Sequence, residues 1–315
     1  RAGENAAGAI TVGTIDLSGL TLALESAAAG SAISQTGAIT AAGLAAVAPN
    51  GSLDLNLTNS VGTIHAETNS SFIFQNAGSF QVLGIDATSV ALTALSGNIT
   101  QGTGAANAIT TGNLSANAVA GGVTLDNAAN AATTLQVGNA GGGSFAFTNG
   151  TALTVNDVTA TGDVAIVAGG DLTLGAFAQI TAGNGQRLQL QAGGANAQLN
   201  IGFFSQLTVD SGTAVFVADR VSSSGFGSLF ASKDEDKVQI KYTKKPMGTA
   251  AGGLPLAPKE DGVSQAGFQT NRSYDRTPGP GMATVGGQKS SSGLPPVDFS
   301  GYTDMARGTS RLLNI

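Results

Sequence analysis

The sequence predicts an all-β fold built as a parallel β-helix, or solenoid, followed by an extended tail. Three observations predict it. Short triplets of apolar, polar and apolar residues recur as far as about position 215. The pattern of residues 71–100 returns in residues 144–173. Seven of the eight prolines lie from Pro246 onward, where the triplets have ended.

The triplets define the predicted strands. Leu135-Gln136-Val137, Leu172-Thr173-Leu174 and Leu207-Thr208-Val209 each place a polar residue between two apolar ones, which is the period of a β-strand. Gly, Asn, Ser or Asp residues punctuate between them. Strands so short and so numerous favour a solenoid in which every turn contributes a few of them. Successive turns then stack about 4.8 Å apart, with Val, Leu, Ile and Phe side chains in ladders along the axis.

Residues 71–100 and 144–173 are two copies of one pattern. The matching positions are two phenylalanines and an asparagine, which are Phe72, Phe74 and Asn76 in the first copy and Phe145, Phe147 and Asn149 in the second. The offset between the copies predicts about three coils of roughly 24 residues per repeat. We predict that the phenylalanines form core ladders and that the asparagines form turns, because Asn tolerates left-handed conformations.

Charge is sparse and unevenly distributed. Charged residues make up 11% of the chain. Residues 1–219 carry two basic and twelve acidic side chains, net -10, whereas residues 220–315 carry twelve basic and eight acidic, net +4. We expect no nucleic-acid partner, because an acidic body has nothing to neutralise phosphates. The basic segment of one copy could lie on the acidic body of another; the alternative is a solvated polar tail.

The chain contains no cysteine. This excludes a disulfide framework and Cys-based metal sites, and it is compatible with export through a cell envelope as an unfolded chain. No apolar run reaches the roughly 18 residues of a membrane-spanning helix, so no transmembrane segment is predicted. No signal peptide is visible, so we expect an exported form to be a mature or processed product.

The repeat sequence resembles a known family of bacterial surface proteins. Gly97-Asn98-Ile99-Thr100-Gln101, Ala108-Ile109-Thr110 and residues 162–174 are similar to repeats of filamentous haemagglutinin-like exoproteins of two-partner secretion. The resemblance covers roughly residues 9–215. It implies a right-handed parallel β-helix, export through an outer-membrane partner, and a secreted or bacterial cell-surface location. Ala48-Pro49-Asn50-Gly51 matches the family's Asn-Pro-Asn secretion signature poorly, so the resemblance concerns the shaft and not the secretion step.

We predict three segments: a β-helix shaft over residues 1–215, a C-terminal cap over 216–245 and a tail over 246–315. In the cap region, charge first becomes dense at Lys233–Lys237. The alternating stretch Val238–Lys245 then places lysines on one strand face. Lysines on the last strand of an open solenoid discourage edge-to-edge association. A lysine cluster that binds an anionic glycan is the alternative.

The tail is rich in Pro, Gly and Ser, and we predict that it becomes ordered by packing on its own shaft or on a neighbouring copy. Fully extended, it would reach about 230 Å at roughly 3.3 Å per residue, whereas a shaft of ten turns is about 50 Å long. Isolated apolar residues in polar sequence are typical of a docking peptide. The predicted subunit-contact anchors are Leu254, Phe268, Tyr274, Met282, Leu294, Phe299, Tyr302 and Leu312.

Catalysis is not predicted, and neither is a metal or a cofactor. Polysaccharide-degrading β-helices need clustered carboxylates together with calcium or a basic group. The carboxylates of the body are widely spread, and the nearest approach to a catalytic pair is Asp157 with Asp163 or Asp171 on an adjacent coil. The single histidine, His65, is interpreted as a surface or turn residue and not as a ligand.

Two functions are compatible with the sequence. The first is a structural subunit of an extracellular or cell-surface fibre, self-associating through a tail that joins neighbouring copies. The second is an adhesin segment that binds glycans or the surfaces of host or other cells along its flank. A β-helix enzyme that degrades polysaccharides is the weakest of the interpretations.

Overall fold

The computed structural model describes residues 8–223, 228–231, 237–242, 269–271 and 311–314. It confirms the predicted fold class: the described chain is all-β and forms a parallel β-solenoid of about ten turns. The right-handed sense of the coil and the extended tail stay predictions. No helix of membrane-spanning length and hydropathy occurs in the described part of the chain.

The strands of the first half are β1 (Ile10–Val12), β2 (Ile15–Glu25), β3 (Ile33–Gln35), β4 (Ile39–Ala48), β5 (Leu53–Thr68), β6 (Ser71–Asn76), β7 (Phe80–Ala94), β8 (Ile99–Gln101), β9 (Ile109–Ala118), β10 (Val123–Leu125), β11 (Ala131–Ala140) and β12 (Phe145–Asn149). Those of the second half are β13 (Leu153–Ala160), β14 (Val164–Ala168), β15 (Leu172–Thr181), β16 (Arg187–Ala192), β17 (Gln198–Ile201), β18 (Gln206–Val209), β19 (Thr213–Ala218), β20 (Arg220–Ser223), β21 (Ser228–Ala231), β22 (Lys237–Tyr242), β23 (Gln269–Asn271) and β24 (Arg311–Asn314). A 3-10 turn spans Ala105–Asn107.

One turn of the solenoid has three straight segments. After β14 come the two halves of β15, and then β16 pairs in parallel with β14 and closes the turn. The first half of β15 pairs with β17 of the next turn, and the second half pairs with β18. Residues in equivalent positions therefore stack in columns along the axis, as the triplets predicted.

The core is made of these columns. One column runs through Ile33, Leu53, Phe72, Val90 and Leu114, and all five side chains are buried. A second column is equally buried and consists of Phe80, Ile99, Val123, Phe145, Val164 and Leu188. Burial of apolar side chains on successive turns is the main force that holds such a stack together.

The two copies of the repeat occupy different columns. Phe72 pairs with Val90, as Phe145 pairs with Val164, so the local register is repeated. Three coils after Phe72, however, the first column reaches Leu135 and not Phe145, which lies further along the sequence. The predicted coil size was therefore wrong. The phenylalanines are buried in core columns, as predicted, but those of the first copy do not stack on those of the second.

The triplet Leu135-Gln136-Val137 does not behave as a regular strand. The register of β9 against β11 shifts between Leu135 and Val137, so that Gln136 lies in a β-bulge. Leu135 is buried, but the extra residue turns Val137 outward and leaves its side chain 44% exposed. A pattern of period two does not reveal such a bulge, because both apolar residues satisfy it.

Parallel pairing continues beyond the predicted end of the shaft. β20, β21 and β22 pair in parallel with β17, β18 and β19, so residues 220–223, 228–231 and 237–242 also belong to the solenoid. β24, near the end of the chain, pairs antiparallel with both β21 and β23. The division into shaft, cap and tail stays a prediction, since most of residues 246–315 lies outside the described residues.

Candidate functional site

Three phenylalanines form an exposed cluster at one corner of the solenoid, here called the aromatic corner: Phe177, Phe203 and Phe204. Their side chains are 64%, 40% and 46% exposed. The ring centroids of Phe203 and Phe204 are 4.1 Å apart in an edge-to-face arrangement. Phe177 lies 5.7 Å from Phe204 in a stacked arrangement and 6.2 Å from Phe203 edge-to-face. The two distances from Phe177 lie in the range that aromatic pairs prefer, whereas Phe203 and Phe204 are closer than that range.

The corner exists because the chain lengthens there. Val155 and Asp157, two residues apart on β13, pair with Leu174 and Gln179, which are five apart on β15. The additional residues bulge outward at the corner and carry Phe177. On the next turn the loop between β17 and β18 carries Phe203 and Phe204. The backbone N–H of Phe177 donates a hydrogen bond of 2.8 Å to the carbonyl oxygen of Phe203, which joins the two loops.

Glycine permits this close stacking of the two loops. A Cβ atom on Gly202 would lie 2.3 Å from the carbonyl oxygen of Leu174 and 2.6 Å from that of Gly175. Both atoms belong to the backbone of the turn beneath, so neither could rotate away. Gly202 therefore lets the loop that carries Phe203 and Phe204 lie directly on the loop that carries Phe177.

Two rings of the aromatic corner stand on a strained backbone. Phe177 has φ 63° and Phe204 has φ 55°, which is the left-handed region. A residue with a Cβ atom in that region costs about 1–2 kcal/mol relative to the ordinary conformation, and glycine avoids that cost. The ring of Phe177 is 64% exposed, so it buries less apolar surface than a core phenylalanine to offset this strain. Strain of this kind is found preferentially at functional sites.

A ladder of amide side chains approaches the aromatic corner from the turns below. The amide nitrogen of Gln136 donates to Oδ1 of Asn113 at 3.2 Å, and that of Asn156 donates to Oε1 of Gln136 at 2.6 Å. Asn156 lies directly beneath Gly175, since a Cβ atom on that glycine would be 2.3 Å from its Oδ1. The ladder thus ends next to the loop of Phe177.

Polar side chains also form a row on each side of the aromatic corner. On one side, Asn200 donates to the hydroxyl of Thr173, and the hydroxyl of Ser222 donates to Asn200. On the other side, Asp157, Gln179 and Gln206 are in register on successive strands and are exposed. Oδ1 of Asp157 accepts the backbone N–H of Gln179 at 3.0 Å. An apolar platform is therefore bordered by hydroxyl and amide groups that are mostly uncharged.

The repeated asparagines Asn76 and Asn149 hold the turns that follow them, because the amide nitrogen of Asn76 donates to the carbonyl oxygens of Gly78 and Ser79, and that of Asn149 to those of Thr151 and Ala152. Both are buried at strand ends, and neither has a positive φ angle. Oδ1 of Asn149 accepts the backbone N–H of Ala132 at 2.8 Å, and its amide nitrogen donates to the carbonyl oxygen of the same residue. Asn76 makes the same two hydrogen bonds to Val61. Each side chain also replaces a backbone partner for one residue of the turn below. The asparagines therefore bridge two turns as well as holding their own turn, and they do so without the left-handed conformation that was predicted.

Near each bridging asparagine, two other amide side chains bond to each other. Asn59 and Gln35 exchange two hydrogen bonds through their side chains, and Asn130 and Gln101 do the same near the second copy of the repeat. Asn59 also accepts the backbone N–H of Ile39. These polar groups are well satisfied by hydrogen bonds, which makes them structural elements of the core and not a binding site.

The predicted subunit-contact anchors cannot be placed around any site. Leu254, Phe268, Tyr274, Met282, Leu294, Phe299 and Tyr302 lie outside the described residues. Leu312 lies in β24, where it pairs with Phe230 of β21 and with Asn271 of β23. The lysines of Lys233–Lys245 fall partly in β22 and partly outside the described residues. Both sets stay predictions.

The three carboxylates considered for catalysis each accept a backbone N–H of the next turn. Asp157, Asp163 and Asp171 bond to the N–H groups of Gln179, Arg187 and Gln198 at 3.0, 2.7 and 2.8 Å. These contacts fix the corners between turns. In the described residues, no three His, Asp or Glu side chains lie close enough together to hold a metal ion.

His65 lies on the surface of β5, partly exposed. Its Nδ1 is 3.1 Å from the carbonyl oxygen of Leu83, and its Nε2 is 3.2 Å from Oε1 of Glu67. The side chain thus bridges its own strand and the next turn.

Sequence reasoning missed the aromatic corner, although a signal for it exists. Gly175-Ala176-Phe177-Ala178-Gln179 and Gly202-Phe203-Phe204-Ser205-Gln206 share the pattern Gly-x-Phe-small-Gln. A phenylalanine close to glycine and outside the apolar triplets indicates an exposed ring at a corner. The motif contains no ionisable side chain, and ionisable side chains are the usual sign of a site in a sequence.

Comparisons with known proteins identify no relative. No protein-family model, no curated protein sequence and no solved structure matches this chain.

Proposed function

We propose that this protein is a structural subunit of an extracellular or cell-surface fibre, in which the solenoid is the shaft. The observation that carries the proposal is the parallel, in-register stacking that runs from β1 to β22. Ten turns at about 4.8 Å give a rod of roughly 50 Å with one continuous core. A rod of this kind serves as a stiff spacer, because every turn is supported by both of its neighbours.

Side-chain contacts along the axis support a mechanical role. At one corner the hydroxyl of Ser79 accepts the backbone N–H of Asn98, and Oδ1 of Asn98 accepts the backbone N–H of Gly122. The same relay is formed by Ser144, Asp163 and Arg187. These contacts bond the backbone at bends, where the regular strand ladder is interrupted. They add stiffness at the positions where a coil would bend most easily.

The resemblance of residues 9–215 to filamentous haemagglutinin-like repeats supports a place on the bacterial surface for such a rod. We further propose that the tail joins neighbouring subunits through the predicted anchors that precede β24. β24 pairs with β21 of the same chain, which supports attachment in cis for the last residues. A contact in trans would then involve the chain between β22 and β24. The charge difference between the acidic body and the basic C-terminal third favours such a contact.

Deletion of residues 246–315 tests the joining role. We expect the full chain to form polymers in sedimentation and negative-stain images, and the truncated chain to remain as single rods with an unchanged β-sheet circular dichroism spectrum. If the truncated chain does not fold, the substitutions Phe299→Ser and Tyr302→Ser in the full chain remove two anchors and leave the solenoid intact. Normal polymers from these variants and from the truncated chain would exclude the tail as the joint.

The adhesin alternative needs a ligand site on the flank of the rod. The aromatic corner is the feature that favours it, because the cluster is exposed, fixed and bordered by hydrogen-bonding groups. A fibre subunit and an adhesin segment do not exclude each other, since a shaft can carry a binding site at one corner.

A further inference from the structure

We propose that the aromatic corner is a carbohydrate-binding site that stacks the apolar face of an uncharged pyranose ring on Phe177, Phe203 and Phe204. The neighbouring amide and hydroxyl groups would bond the hydroxyls of the sugar. This inference builds on the adhesin alternative and is independent of the fibre proposal, since binding and polymerisation are measured separately.

The chemistry of the surface fits a sugar. One face of a pyranose ring presents C–H groups with a slight positive charge, and an aromatic face presents negative charge density. The two surfaces attract each other and both lose contact with water. The rings of Phe177 and Phe204 are stacked, with an interplanar angle of 25°, while Phe203 stands edge-on to both. This arrangement forms a stepped platform on a scale of one or two sugar rings.

The size of the platform favours a sugar over a protein as the binding partner. With the exposed fractions given above and the area of an aromatic side chain, the three rings present roughly 300 Å² to solvent. A stable protein interface buries about 800 Å² on each partner and places aromatic anchors in a larger apolar core. The rows beside the rings are polar instead. A small amphipathic ligand matches this surface better than a second protein.

The polar rows supply hydrogen bonds with directional specificity. Gln179 and Gln206 are exposed in register beside Phe177 and Phe204, and each follows its phenylalanine by two positions. Across the corner, Thr173 and Asn200 form the second row. Carbohydrate hydroxyls both donate and accept, and neutral amides and hydroxyls do the same. A few polar groups around an apolar surface are the usual composition of a small-ligand site.

The charge of the corner selects against anionic sugars. Asp157 is the carboxylate of the bordering rows, and the body of the protein is acidic. A sialylated or sulfated glycan would meet repulsion there, whereas a neutral oligosaccharide would not. The carboxylate also accepts hydrogen bonds from sugar hydroxyls, and these are stronger than bonds between neutral groups.

The backbone conformation at two of the phenylalanines indicates that their rings have a role other than folding. At φ 63° and φ 55°, glycine would be accommodated without strain at positions 177 and 204. Phenylalanine instead brings strain and exposed apolar surface, and both lower the stability and solubility of the protein. The hydrogen bond between Phe177 N–H and Phe203 O holds the rings in one arrangement before any ligand binds. Such preorganisation reduces the entropic cost of binding.

The experiment uses the substitutions Phe177→Gly and Phe204→Gly in the full chain, with neutral probes. Wild-type protein is first screened on an array of neutral and sialylated oligosaccharides. Binding of lactose, maltotetraose, cellotetraose and chitotetraose is then measured by saturation-transfer NMR and titration calorimetry. We expect at least one neutral probe to bind with ring protons in contact with aromatic side chains. Each Gly variant should weaken that binding at least tenfold.

Stability provides the internal control. Glycine relieves the left-handed strain but also removes ring contacts and adds freedom to the unfolded chain, so the melting temperature of each variant is measured. Binding is then compared well below the lowest of these temperatures, where lost binding cannot be attributed to unfolding. Val119→Ala, which shortens an exposed apolar side chain outside the aromatic corner, should leave binding unchanged. The inference is overturned if no neutral probe binds, or if both Gly variants bind as wild type does. It is also overturned if the Gly variants abolish self-association in sedimentation while wild type binds no sugar, because the corner is then an interface between copies.

Discussion

Buried asparagines show how single residues hold a solenoid together. Asn76 and Asn149 each provide both partners of one backbone peptide position in the turn below. A buried amide that satisfies a donor and an acceptor at once is difficult to replace, because any apolar residue leaves both groups unpaired. The repeated asparagine therefore fixes the register between turns in a way that apolar columns alone cannot.

The substitution Asn149→Ala tests this role. Removal of the amide leaves the buried N–H and carbonyl of Ala132 without partners, so we expect a loss of about 2–4 kcal/mol in the free energy of unfolding. The matched control is Asn113→Ala, since Asn113 is exposed and bonds to the side chain of Gln136. We expect the control to change stability by no more than about 0.5 kcal/mol. Urea unfolding measures both, and equal effects would contradict the bridging role.

The carboxylate of Asp16 provides a prediction on pH. The hydroxyl and the backbone N–H of Ser18 both donate to its Oδ1, and these hydrogen bonds lower the pKa of Asp16 below the ordinary value of 3.8. A lowered folded-state pKa means that the stabilisation is present above pH 3.8 and is lost as pH falls through the folded-state pKa. Ser18→Ala should raise the pKa of Asp16 in a carbon-detected NMR titration, whereas Ser18→Thr should keep it low. An unchanged pKa in the alanine variant would refute this account of the contact between Asp16 and Ser18.

The sequence predicts the structural roles of some residues and not of others. Burial of Phe72, Phe74, Phe145 and Phe147 was predictable, because large apolar side chains at alternating positions of a strand face the core. The bridging role of Asn149 was not, since its backbone partner lies far back in the chain, on the turn below, and depends on the length of the coil. The positive φ angles of Phe177 and Phe204 contradict local propensity, and local propensity is all that a sequence pattern can read.

At the level of elements, the positions of strands were predictable, but the corners were not, and neither were the strand lengths, since β5 has 16 residues and β7 has 15. Apolar triplets predict short strands wherever they occur, and the parallel stack follows from their number. Corners differ in length from turn to turn, since the chain from Leu172 to its partner Leu199 is longer than the chain from Phe72 to its partner Val90. Polar corner residues are tolerant of insertion, so their composition does not reveal which corner projects. The aromatic corner arises at one of the longer turns for that reason.

Glycines at corners set the spacing between turns. A Cβ atom on Gly121 would lie 1.9 Å from the carbonyl oxygen of Gly97 in the turn below, and that oxygen belongs to rigid backbone. We expect Gly121→Ala to lower the free energy of unfolding by about 2–3 kcal/mol, because two turns must separate. Gly13→Ala is the control, since a Cβ atom there meets no atom within 4 Å. Its effect on the urea midpoint should be neutral or slightly stabilising. A tolerated alanine at position 121 would show that the turns are less closely stacked.

At the scale of the whole molecule, the chain combines a rod with a long segment of different composition. Repeat proteins of this kind are stabilised by contacts between neighbours, so length can be added without a new core. A shaft of roughly 50 Å with a polar, small-residue surface is suited to polymerisation or to display, and the aromatic corner provides one place for display. The fold class was predictable at this scale, because the many short apolar triplets point to a solenoid. The function was not, since it depends on one corner and on contacts between copies.

The central claim is that the solenoid is the shaft of a fibre, and imaging of the purified full chain tests it most directly. Cryo-electron microscopy over a range of protein concentrations should show helical polymers with an axial repeat near the shaft length, about 50 Å, and a spacing of about 4.8 Å along the axis. Dispersed single rods at every concentration, in solutions where the protein is folded, would contradict the claim and leave the rod as an isolated carrier of its binding corner.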